Sequence, residues 1–167
     1  MSFSYDWSRF TKRINIKAPV QKIYDVWATR IGLEYWFLRE ADFKKPSGEP
    51  VNNNAHIQEG DTYTWRWHGY DNSVSESGEI LAANGADYLK FRFGNAGNVA
   101  VNISMHEGES IVELTQDEIP QDEKGKAHYH VGCGEGWTFY LANLKSMLEG
   151  GIDLRNKNER IQKVINS

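Results

Sequence analysis

Cysteine is nearly absent. Cys133 is the single one in 167 residues, so no intrachain disulfide can form and a reducing compartment is expected. Long hydrophobic runs are missing as well. The longest (Tyr35–Leu38, Ile80–Ala83 and Phe139–Ala142) reach four residues, far short of a membrane span. Basic charge is not in excess: 19 Lys and Arg stand against 23 Asp and Glu, a net charge of −4. That balance argues against a general nucleic-acid binder, which needs clustered cations facing phosphates. The N-terminus shows no charged start leading into an apolar stretch, so no secretory leader is expected and the cytoplasm is the expected location. Internal repeats and low-complexity tracts are lacking too, and a single domain over residues 1–167 is expected, with its core at about 10–155.

Rings are what the chain has in quantity. Six Trp, eight Tyr and seven Phe sit in a sequence whose mean hydropathy is −0.63. Apolar volume is therefore concentrated in aromatic side chains, which can fill a core or line a cavity.

Periodicity orders the elements. Phe10 to Lys17 alternates as a strand. Ala18-Pro19 ends it, and Pro19 suits the first turn of a helix. Val20, Ile23, Tyr24 and Trp27 follow at i, i+3, i+4 and i+7, the spacing of a one-faced helix. Gly32 is read as an interruption before a second short helix carrying Leu33, Trp36 and Phe37. A strand at Glu40 to Lys44 precedes a polar surface loop over residues 45–60. From Asp61 onward strand follows strand. Tyr63, Trp65 and Trp67 share one face, Val74 to Ala83 is mostly polar, and Asn84-Gly85 is a hairpin signal. Leu89, Phe91 and Phe93 come next, then Val99, Val101, Ile103 and Met105, then Val112 and Leu114 up to Ile119-Pro120. Residues 121–129 read as a charged connection. A long helix is predicted from Gly132 or Gly134 to Glu149, with Trp137, Tyr140, Leu141, Leu144, Met147 and Leu148 on one face and Gly150-Gly151 as its stop. The tail, 152–167, is expected to be peripheral, either frayed or a short surface helix. The fold class is α+β: an antiparallel sheet curved around a long C-terminal helix, with two short helices after the first strand.

The stretch Ala18-Pro19-Val20-Gln21-Lys22-Ile23-Tyr24-Asp25-Val26-Trp27, followed by Tyr35-Trp36-Phe37, resembles the opening of the START/Bet v 1-like (SRPBCC) superfamily. Gly136-Trp137-Thr138-Phe139-Tyr140-Leu141-Ala142-Asn143-Leu144-Lys145 resembles the final helix of one branch, the C-terminal domain of the activator of Hsp90 ATPase. The resemblance implies a helix-grip fold, a seven-stranded antiparallel sheet gripping the C-terminal helix around a cavity. Members bind lipids, hormones or polyketide-like molecules, some are cyclases, and some are co-chaperones.

Three functions follow as expectations. The first is binding of a small hydrophobic or amphipathic molecule, without catalysis. Its floor would be Trp65, Trp67, Phe91 and Phe93, its roof Trp137, Tyr140 and Leu141, and its gate Trp36 and Phe37, with Trp27 and Met105 also facing inward. Glu76, Gln116 and His130 are the candidate polar contacts. The second is a protein-binding module like an Hsp90 co-chaperone, whose partner is a chaperone ATPase. The third is a cyclase-like enzyme, which needs a desolvated acid or base inside. His128, His130 and Cys133 form a compact cluster, but no second cluster completes four metal ligands, so no metal is expected. Gly132, Gly134 and Gly136 do not make a dinucleotide fingerprint, and no cofactor is expected. The acidic run from Glu107 to Glu123 reads as a charged sheet edge, or as a docking surface for a basic partner.

Overall fold

The computed structural model describes residues 2–165. Its elements run β1 (Phe10–Ile16), α1 (Val20–Trp27), α2 (Arg30–Trp36), β2 (Glu40–Lys44), β3 (Thr62–Arg66), β4 (Glu76–Ala83), β5 (Tyr88–Arg92), β6 (Asn98–His106) and β7 (Glu109–Asp117). A π-helical segment, Gly125–Gly132, then leads into α3 (Cys133–Leu148). The seven strands form one antiparallel sheet in the order β1-β7-β6-β5-β4-β3-β2. The α3 helix packs along β1 and against α2. This is the α+β helix-grip architecture, and among the described residues no helix is long and apolar enough to cross a membrane.

Local chemistry explains the corner between the two short helices. The break falls at Ala28-Thr29, not at Gly32. Thr29 caps α2 by accepting from the Gly32 N–H at 3.0 Å. Gly32 lies inside α2 because the helices touch there: a Cβ on it would stand 2.4 Å from Val26 Cα. That close approach turns the chain sharply enough to bring Trp27 and Trp36 into contact, at 4.6 Å between ring centroids.

Two strand readings need correction. The acidic run does not form an edge, because β7 lies between β1 and β6. Two of its outward carboxylates are met instead by the neighbouring strand, with Arg13 Nε 3.1 Å from Glu113 and Asn15 Nδ2 3.0 Å from Glu109. The inward phase of β6 also ends before Met105. That residue is 59% exposed near the hairpin turn, opposite Ser110, which is tied to the Ala18 carbonyl.

Residues 121–129 are not a simple connection. Helical structure is already present at Glu123, and the π segment begins at Gly125, whose N–H is capped by Asp122 at 2.8 Å. Only glycine fits there, since a Cβ would sit 1.8 Å from the Pro120 carbonyl oxygen. The buried positions, Gly125 and His130, are five apart, the i→i+5 hydrogen-bond spacing of a π-helix, so a search at 3.6 residues per turn passes over the segment.

The tail differs from expectation at its start. Asp153, Leu154 and Arg155 are knit to the fold through Asn143, which donates to the Trp36 carbonyl and to Asp153 and accepts from the Leu154 N–H. No helix forms among the described residues beyond Leu148.

Candidate functional site

The aromatic face of the sheet does meet α3, and most of the space between them is filled. Trp65 stacks on Tyr63 at 3.9 Å and meets Phe91 edge-on at 5.1 Å. Trp27, Trp36, Trp65, Phe91 and Leu141 are all buried, and they build the core instead of lining an opening. Two of the core indoles are satisfied: Trp36 Nε1 donates to the Val26 carbonyl at 2.9 Å, and Trp137 Nε1 to Gln116 Oε1 at 2.9 Å. The indole N–H groups of Trp27 and Trp65 have no protein acceptor among the described residues.

Space remains along the N-terminal half of α3. A groove of about 1490 Å³ runs there, walled by Phe37, Trp67, Phe93, Trp137 and Tyr140. Phe37 is its hub, with ring centroids 5.0 Å from Trp137, 4.9 Å from Tyr140 and 5.8 Å from Trp67. Phe93 closes the opposite side at 5.6 Å from Trp137. Phe37 caps the end of α2, and Trp67 follows directly on β3, so each ring is held next to a regular element. Five of the predicted rings therefore meet around the groove. Trp27, Trp36, Trp65, Phe91 and Leu141 lie behind them, and Met105 is elsewhere.

The polar candidates separate likewise. Glu76 opens β4 opposite Trp65 and faces the groove. The β4 bulge lies further on, between Ile80 and Ala82, so it leaves the inward phase of Glu76 intact. Burial raises the Glu76 pKa above the ordinary carboxyl range, and the Ser77 N–H, at 3.1 Å, opposes the rise. Gln116 is fully buried and structural: its amide spans the core from the Ala96 carbonyl to the Trp137 indole. His130 reaches the far end of the groove, where its ring is enclosed by Tyr5, Trp7 and Phe10 at 5.1–5.4 Å. Its Nε2–H donates to the Arg9 carbonyl at 3.1 Å. Tyr5 and Trp7 carried no periodic signal, and nothing in the sequence pointed to this cage.

Cys133 is no activated nucleophile. Burial raises its thiol pKa, and a hydrogen bond with Gln116 opposes the rise. Among the described residues no three His, Cys, Asp or Glu side chains converge to hold a metal ion.

Comparison with known proteins places this architecture. Residues 17–149 match the model of the family described as Activator of Hsp90 ATPase homolog 1-like protein, and the chain belongs to that family. Its fold is similar to the solution structure of the Aha1 dimer from Colwellia psychrerythraea, at 20% identity and a TM-score of 0.65 over 86% of this chain and 97% of that one. The Staphylococcus saprophyticus protein SSP2350 is similar at 20% identity and a TM-score of 0.66, over 88% of this chain and 96% of its own. DynU16, a protein of the dynemicin biosynthetic locus, is similar at 15% identity and a TM-score of 0.66; the match covers 90% of this chain and half of DynU16. No curated protein matches the chain in sequence.

Proposed function

We propose that this protein binds a small apolar or amphipathic molecule in the groove between the sheet and α3. The observation that carries the reading is the groove itself, a ring-walled space of about 1490 Å³ left open beside an otherwise filled core. An apolar guest there would exchange water for aromatic faces. The Trp67 ring is a half-buried wall residue at the margin of the fully buried core. N-phenyl-1-naphthylamine serves as an apolar fluorescent probe. Trp67→Ala is expected to weaken its binding about tenfold with the circular dichroism spectrum retained. An unchanged affinity in the folded variant overturns the proposal.

Family membership supports a second reading, a module that docks on a chaperone ATPase. It predicts co-purification of that ATPase with the chain from its own cells, where the first reading predicts a retained small molecule in native mass spectrometry. A cyclase-like activity would have Glu76 as its acid or base, because it is the half-buried carboxyl at the groove and burial raises its pKa.

A further inference from the structure

Among the rings of the groove stands a half-buried carboxylate without a counter-charge. Glu76 makes no ion pair among the described residues; its only hydrogen bond comes from the backbone N–H of its own neighbour, Ser77. The fold makes room for this group. Gly94 sits at φ +51°, and a Cβ on it would stand 2.0 Å from Glu76 Oε1, so a side chain there would displace the carboxylate. The residue across the strand pair is Trp65, and Phe93 lines the groove beside Gly94. A carboxylate in a partly dry, aromatic setting is stabilised most by a cation that brings its own hydrogen-bond donors, and the ring faces attract the same charge.

We infer that the groove selects amphipathic molecules bearing an ammonium group, with the amine on Glu76 and the apolar body between Phe37, Phe93 and Trp137. This deepens the proposed function and rests on that reading. The groove's other charged side chains are Lys12 on β1, whose Nζ lies 5.8 Å from the Phe10 ring centroid, and Glu135 on α3. Lys12 defines the rival outcome, selection of an anion.

Three probes with the same number of carbons decide between them: 4-phenylbutylamine, 4-phenylbutanol and 4-phenylbutyrate, titrated at pH 7.5 with chemical shifts of the tryptophan indole N–H groups as the readout. The inference expects the amine to bind at least tenfold more tightly than the alcohol, and Glu76→Gln to bring the two within twofold while alcohol affinity is kept. Equal binding of all three probes, a preference for the acid, or an amine preference that survives in Glu76→Gln overturns the inference while the groove reading stands. Failure of all three probes and of the naphthylamine dye to bind removes both.

Discussion

Replacing Arg155 by alanine is the most demanding test of how this fold is held. The side chain is 1% exposed, and all five of its N–H donors are used. Nε and one Nη2 hydrogen grip Asp153 side-on at 2.9 and 2.7 Å. The remaining three donors reach the carbonyl oxygens of Glu34, Tyr35 and Leu38, at 3.2, 2.7 and 3.0 Å. Those carbonyls close the end of α2, where the chain has run out of helical partners and where a positive charge is favoured. Charge-assisted bonds are each worth about 1.5–3 kcal/mol, but they do not add, because water enters the space the side chain leaves. Breaking a buried pair from one side costs about 3–5 kcal/mol. Lys157, 2.9 Å from Asp153, keeps that carboxylate from being stranded, so the lower end applies. The expected loss is about 3 kcal/mol, read as a shift in the urea midpoint by circular dichroism. Arg155→Lys keeps the charge without the planar fork and should lose about half as much. A loss below about 1 kcal/mol for the alanine variant would refute the reasoning and return Arg155 to the frayed tail.

Two more expectations concern the interior. Gln116→Met leaves the Trp137 indole N–H without its acceptor and is expected to cost about 2 kcal/mol; adding Trp137→Phe should recover part of it, and a double variant whose losses simply sum would contradict the pairing. For Glu76, burial sets the folded pKa above the unfolded one, so the stability tied to this group is fully present below about pH 4 and is lost as pH rises through the folded value. Glu76→Gln is therefore expected to be more stable than the parent at pH 7, by less than about 1 kcal/mol because water screens a half-buried carboxylate, with the gap closing near pH 4. Urea midpoints at the two pH values check this, and a gap that widens in acid would reverse the sign.

By itself the sequence determined the order and faces of the elements. Alternation placed Tyr63, Trp65, Phe91 and Val101 on one side of the strands, and the 3.6-residue repeat placed Trp137, Tyr140 and Leu144 on one side of the last helix. Such patterns are local, and a buried face must repeat at the period of its own backbone. Which rings seal the core and which are left at an opening was a matter for tertiary structure alone, because positions of equal phase sit at different depths along a strand of a curved sheet. Trp65 and Trp67 alternate alike, yet only Trp67 borders the groove. The interior place of β7, the cage around His130 and the clasp of Arg155 on α2 likewise join residues about 100 positions apart or more. No period links such distant segments; burial of the whole chain in one core brings them together.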